Sequence, residues 1–100
     1  MKERTFSPAW GEAINQTATT SSVAYAIDTK KRDSIVVTNS GTELVYVRTG
    51  PDNTVTATSA DYVILGGTQV SLTKFKDHTH VAILAAANTS AMHIMPGEGF

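Results

Sequence analysis

The sequence predicts an all-β domain, a two-sheet antiparallel sandwich of about eight short strands with an extended N-terminal arm. Apolar residues at helical spacing are missing beyond about residue 15. Charged residues make up only 17% of the chain, and Ser and Thr, which suit the exposed faces of strands, take their place. Short β-branched and aromatic runs recur roughly every eight to twelve residues with turn residues between them. This spacing is typical of a jelly roll or a Greek key.

Residues 1–12 are predicted to form the arm, and residues 13–100 a single sandwich domain. Pro8 lacks a backbone donor, so this segment cannot form a full ladder of hydrogen bonds. Phe6 and Trp10 add large apolar rings to it. Two interpretations remain open. The rings cover the domain's own core, or Phe6, Pro8 and Trp10 bind a neighbouring subunit, where aromatic side chains serve as anchors.

The first strands of the sandwich are predicted at residues 13–18 and 22–27. In the second, Val23, Tyr25 and Ile27 alternate with small residues, which is typical of a half-buried strand.

The chain is predicted to be organised around a β-hairpin over residues 34–50. Residues 34–38 and 43–48 are two strongly β-forming runs. Between them lie residues 39–42, Asn-Ser-Gly-Thr, in which Asn and Gly tolerate the positive φ of a tight reversal. We therefore expect these two strands to pair with each other.

The second half of the chain supplies the remaining predicted strands. Residues 54–59 are polar and form either an edge strand or a loop. Residues 81–86 are apolar on both faces, which indicates a central strand. Residues 96–100 are predicted to be a tail. Further strands are expected at residues 62–65, 70–74 and 92–95.

Composition excludes several classes of function. The net charge is −1 and the basic residues are interleaved with acids, so no nucleic-acid partner is expected. The longest apolar run, residues 81–87, is too short to cross a membrane, and the N-terminal residues carry no apolar signal segment. There is no cysteine, so disulfides contribute nothing.

No catalytic or metal-binding pattern is found. His78 and His80 would face the same way on a strand beside Asp77, but a metal site needs further ligands, so a solvated turn is the favoured interpretation. No serine lies in a Gly-x-Ser-x-Gly elbow. We expect neither enzyme activity nor a cofactor. Trp10, Tyr25, Tyr46 and Tyr62 could instead stack on sugars if they are exposed.

One stretch carries a family resemblance. Residues 39–50 (NSGT…VYVRTG), followed by Leu65-Gly66-Gly67 and ending in Pro96-Gly97-Glu98-Gly99, make the region 34–100 resemble small structural proteins of tailed bacteriophages. Its pattern is similar to that of head decoration, or cement, proteins. These are jelly-roll-like sandwiches that sit on a capsid and bridge its major subunits.

The resemblance implies a non-enzymatic virion protein that decorates and stabilises a bacteriophage capsid. Its expected partner is the major capsid protein. It would be a homo-oligomer, a dimer or trimer, made in the host cytoplasm and located on the capsid surface. The resemblance brings no catalytic residues. The alternative is a carbohydrate-binding or structural subunit of the phage tail or neck.

Overall fold

A computed structural model describes residues 6–99, which form nine strands in two antiparallel sheets. Within this range there is no helix, and so none that could span a membrane. The strands are β1 (Ser7–Pro8), β2 (Ile14–Ala18), β3 (Val23–Ala26), β4 (Ser34–Asn39), β5 (Val45–Gly50), β6 (Tyr62–Ile64), β7 (Thr68–Thr73), β8 (His80–Ala85) and β9 (Ser90–Glu98).

The strand order is that of a jelly roll. In the larger sheet β4 lies between β9 and β7. On the other side of β9, β2 and β1 pair end to end with its two halves. The smaller sheet has the order β3-β8-β5-β6. The predicted all-β sandwich is confirmed, with nine strands in place of about eight because Ser7 and Pro8 pair with Glu98 and Gly97.

The predicted hairpin over residues 34–50 is wrong. β4 pairs with β7 and β9, whereas β5 pairs with β6 and β8 in the other sheet. Residues 39–42 therefore carry the chain across the sandwich. The inward-facing side chains of the two strands, such as Val37 and Val45, both belong to the buried core between the sheets. Burying both apolar faces outweighs the local preference for side-by-side pairing.

The side chain of Asn39 holds this crossing in place. Its amide nitrogen donates to the carbonyls of Glu43 (2.7 Å) and Ile64 (3.1 Å). Its carbonyl oxygen accepts from the Gly41 N–H and the Ser90 hydroxyl. Asn39 is completely buried, and this set of partners satisfies it.

The core lies between the sheets and follows the period of two along the strands. β8 lies between β3 and β5, which confirms its predicted central position. The buried core cluster consists of Ala18, Ile27, Ile35, Val37, Val45, Val47, Ile64, Val81, Ile83, Ala85, Met92 and Ile94.

The predicted tail over residues 96–100 is wrong as far as the structure describes it, to residue 99. β9 continues to Glu98, and both Pro96 and Gly97 are buried. The Pro96 carbonyl accepts a hydrogen bond from the Ala9 N–H, so the missing donor of Pro96 faces the same side. On that side of β9, the segment between β1 and β2 leaves the sheet. No strand residue lies opposite the missing donor of Pro96, so no hydrogen bond of the ladder is lost.

A cluster of charged side chains closes one end of the sandwich. Asp28 accepts hydrogen bonds from the Lys74 ammonium (2.8 Å), the Arg32 guanidinium (3.1 Å) and the N–H groups of Lys30 and Arg32. Arg32 also forms a bidentate pair with Glu12. The side chains of Asp28 and Lys74 have no exposed surface. The cluster thereby joins the segment before β2, the turn before β4 and the end of β7.

Asp28 should make the fold sensitive to acid. Burial raises the pKa of Asp28, but hydrogen bonds from Lys74, Lys30 and Arg32 outweigh it, so the folded-state pKa lies below its ordinary value. Such a carboxylate adds stability above its unfolded pKa, about 3.9, and this stability is lost as pH falls through the lower folded value. We expect the melting temperature, followed by circular dichroism, to fall below about pH 4. The Asp28→Asn variant should lack the part of this decrease that comes from Asp28, whereas Asp77→Asn, at an exposed control position, should retain it. Identical melting profiles for the two variants below about pH 4 would contradict the role of Asp28.

Candidate functional site

A groove on the outer face of the larger sheet is the main candidate for partner binding. Its volume is about 440 Å³. The side chains that form its floor alternate with the core residues of the same strands and therefore point outward. They are Val36 and Thr38 of β4, His93 and Met95 of β9, and Gln69 and Ser71 of β7.

The three residues predicted to bind a partner also line this groove. Phe6 and Pro8 are half-buried beside β9, and Trp10 follows them along the chain. The structure thus brings Phe6, Pro8 and Trp10 together on one surface, although their binding role stays a prediction. The floor of the groove was not predicted, although the alternation of Val36 and Met95 with core residues was the available signal.

Gly97 allows the arm to pass close to β9. A Cβ atom at this position would lie 2.5 Å from Phe6 Cζ and 2.5 Å from the Ser7 carbonyl oxygen. Those distances are too short for a side chain, so the Phe6 ring occupies the space that a larger residue at 97 would fill.

Trp10 points away from the core. Its side chain is 83% exposed, the largest exposure among the big apolar residues of the described range. The Ala9 carbonyl accepts a hydrogen bond from the Glu12 N–H, and Gly11 between them has a φ of 81°. This turn redirects the chain towards β2 and leaves the indole ring at the edge of the groove.

A second apolar surface lies at the β6 edge of the smaller sheet. Leu44, Tyr62, Val63 and Leu65 are all exposed there. Among the nine described strands, β6 pairs with β5 alone, so the backbone groups along its other side belong to a sheet edge. Residues 62–65 carry no charge, and this apolar run predicts the strand but not its exposure.

A polar cleft lies at the end of β5. It has a volume of about 440 Å³ and is lined by Arg48, Thr49, Gly50, Pro51, Thr54, Val55, Thr56, Thr58 and His78. Val55 packs against Gly50, where a Cβ atom would lie 2.5 Å from the valine side chain. This close contact places the loop of residues 51–61 against β5. The sequence predicts an edge strand or a loop at residues 54–59, and the structure shows a loop.

The histidines occupy separate positions. His78 Nδ1 lies 2.7 Å from the Thr49 hydroxyl, and His80 Nδ1 lies 2.7 Å from the Thr79 hydroxyl. His93 lines the groove on the other sheet. Across residues 6–99, no three His, Asp or Glu side chains are grouped so as to hold a metal ion.

The aromatic residues considered for sugar stacking do not share one surface. Trp10 lies on the larger sheet, whereas Tyr25, Tyr46 and Tyr62 belong to β3, β5 and β6 of the smaller one. Tyr25 and Tyr46 are half-buried. In the register of β5 with β6, Tyr46 is opposite Val63, so Tyr46 and Tyr62 lie on opposite faces of that sheet.

Comparison with known proteins adds information about the fold. No family model matches the sequence, and no curated protein matches it. The chain is similar to a protein of Bacillus endospore appendages, which form disulfide-linked pili, with 22% identity and a TM-score of 0.49 over 99% of this chain and 92% of that one. It is also similar to a cupin domain of Bordetella pertussis Tohama I, with 8% identity and a TM-score of 0.52 over 97% of each chain. At this identity, the likeness to the cupin domain shows a shared jelly-roll fold.

Proposed function

We propose that this chain is a non-enzymatic virion structural protein that decorates and stabilises a bacteriophage capsid by binding major capsid subunits. The observation that carries the proposal is the groove on the larger sheet, with Trp10 83% exposed at its edge. An exposed aromatic ring beside a partly apolar groove is the arrangement that protein interfaces use as an anchor. The resemblance of residues 34–100 to decoration proteins is the reason for choosing a capsid as the partner.

The proposed assembly is a dimer or trimer of this chain on the outer surface of the capsid, made in the host cytoplasm. The uncharged edge at β6, with Tyr62, Val63 and Leu65 exposed, supports self-association because few charges oppose pairing there. Several copies of one groove would then bind a repeating surface together, so that modest contacts add up to stable attachment.

Binding to phage heads tests the proposal. The purified chain should sediment with expanded heads and raise the temperature at which they disrupt. Trp10→Ala should weaken this binding by about 30-fold, since a buried anchor contributes about 2 kcal/mol. Because Trp10 is exposed in the free chain, the same change should alter the free energy of unfolding by less than about 0.5 kcal/mol.

Phe75→Ala is the matched control, because Phe75 is an aromatic residue of similar exposure (75%) that is not part of the groove. It should leave head binding unchanged. Absence of the wild-type chain from sedimented heads would contradict the capsid proposal. Equal binding by the Trp10→Ala chain would remove the groove from it.

A structural subunit of the phage tail or neck is the second candidate, since a rigid sandwich with an adhesive groove would serve there too. Localising the chain on whole virions by cryo-electron microscopy separates the two. Density on the head lattice favours decoration, and density at the neck or tail favours the alternative.

A further inference from the structure

We propose that the polar cleft at the end of β5 is a binding site for a neutral saccharide. The cleft lies on the smaller sheet and its loop, and the groove that carries Trp10 lies on the larger one. The proposal therefore does not depend on capsid binding, and either can fail without the other.

Three of the four threonine hydroxyls that line the cleft donate to acceptors within the protein. Thr54 Oγ1 donates to the Asp52 carboxylate, and Thr56 Oγ1 donates to the Thr54 carbonyl. Thr58 Oγ1 donates to the Asp61 carboxylate. A hydroxyl that donates internally still has lone pairs. Thr54 and Thr56 therefore offer acceptors to a bound molecule, and Thr58 offers the lone pair that the Ala60 N–H does not use.

Donors come from Arg48. Its side chain is 57% exposed, and its contact with Asp61 Oδ1 is 3.6 Å, which is longer than a hydrogen bond. The guanidinium group can therefore donate N–H groups to a molecule in the cleft. His78 adds a second fixed group, because the bond between its Nδ1 and Thr49 orients the imidazole and leaves Nε2 for other contacts.

This mixture of acceptors and donors selects the class of ligand. A phosphate dianion has acceptors only, so it could pair with Arg48 but would find no donor in the three threonine hydroxyls. A cation would face Arg48. A sugar carries hydroxyl groups that both donate and accept, so each can pair with what the cleft presents.

An aromatic ring lies beside the cleft. Phe75 is 75% exposed, and its ring meets that of His78 edge to face, with centroids 5.0 Å apart and an interplanar angle of 75°. A sugar has an apolar C–H face as well as hydroxyl groups, and an exposed ring next to polar groups can bind that face.

The test begins with the wild-type chain on an array of neutral and acidic oligosaccharides. Each neutral saccharide that binds is then titrated into the ¹⁵N-labelled chain and followed by NMR. Shifts should concentrate at the amides of Thr54, Thr56 and His78. Inorganic phosphate, titrated in the same way, should leave these amides unshifted.

Two variants test the assigned groups. Arg48→Met removes the donors but keeps the aliphatic stem, and Thr56→Val replaces the hydroxyl with a methyl group of similar size. Each should weaken saccharide binding by about tenfold, the effect of one lost hydrogen bond. Thr73→Val, an exposed β-strand position away from the cleft, should bind as the wild type does.

Several results would overturn the proposal. An array with no neutral saccharide bound removes the ligand class, as does phosphate that shifts the cleft amides. Binding that survives both Arg48→Met and Thr56→Val, or that is lost in Trp10→Ala instead, removes the cleft as the site.

Discussion

Replacing Lys74 with methionine should lower the free energy of unfolding by about 3 kcal/mol. The Lys74 ammonium lies 2.8 Å from Asp28 Oδ2, and neither side chain has exposed surface. Methionine fills much of the same volume, so the loss comes from leaving a buried carboxylate with fewer compensating partners. Arg32 still pairs with Asp28, which keeps the expected loss at the lower end of the range for broken buried pairs. Urea unfolding followed by circular dichroism measures the change.

The control is a double-mutant cycle that adds Asp28→Asn. If the two charges interact directly, the double variant should be more stable than the sum of the single losses predicts, by at least about 1 kcal/mol. Strictly additive losses would show that Lys74 stabilises the end of β7 without relying on Asp28. Lys76→Met, at an exposed lysine on the same turn, should change the free energy of unfolding by less than about 0.5 kcal/mol.

Asn39→Ala should cost about 3–5 kcal/mol of unfolding free energy. The buried Asn39 amide donates to the carbonyls of Glu43 and Ile64 and accepts from Gly41 and Ser90. Alanine leaves these groups without their partner, and the bonds to Ile64 and Ser90 are fully buried. Each unsatisfied buried group costs about 1–3 kcal/mol. Chemical denaturation of the purified chain gives the value.

Two further variants identify which half of the Asn39 side chain matters. Asn39→Asp retains acceptors for Gly41 but cannot donate to the carbonyls of Glu43 and Ile64, so it should be nearly as destabilising as alanine. Asn15→Ala, at an exposed position of β2, should change the unfolding free energy by less than about 0.5 kcal/mol. A loss below about 1 kcal/mol in Asn39→Ala would show that water replaces the lost bonds.

The strand content could be predicted because it depends on local pattern. The alternation of Val23, Tyr25 and Ile27 and the two-sided apolar run from Val81 correctly indicated strands, and the second correctly indicated a central one. These features arise from side-chain period and composition, which a single sequence displays directly.

The pairing of β4 could not be predicted from its own neighbourhood. Asn39 and Gly41 suit a tight turn in a hairpin as well as a crossing between sheets. The pairing is decided by β7 and β9, which bind the two sides of β4. The nearest of these partners in sequence, Thr68 opposite Asn39, is 29 residues away (68 − 39). Local turn chemistry contains no information about these partners.

The same limit applies to the end of the described chain. The run Pro96-Gly97-Glu98 has the composition of a tail, yet Pro96 and Gly97 are buried in β9. Pro96 is tolerated because its missing donor faces the interruption between β1 and β2, and Gly97 because Phe6 needs the space. Both reasons come from the arm, which is distant in sequence.

A candidate site could be predicted where it depends on residue type alone. Phe6, Pro8 and Trp10 were recognised as an unusual apolar group, and the structure places all three on one groove. The polar cleft was missed because its chemistry depends on where hydroxyl protons point. That direction is set by loop contacts such as those of Thr54 with Asp52 and Thr58 with Asp61.

The position of β9 has a consequence for how the protein is made. β1, β2 and β4 all pair with residues 90–98. The larger sheet therefore cannot form during translation until that segment has left the ribosome. β3 and β5 both pair with β8, so they too cannot complete their sheet until β8 has emerged. Until these two segments have emerged, the apolar strands before them stay exposed on the nascent chain, and refolding from denaturant should be slow for a domain of this size because long loops must close first.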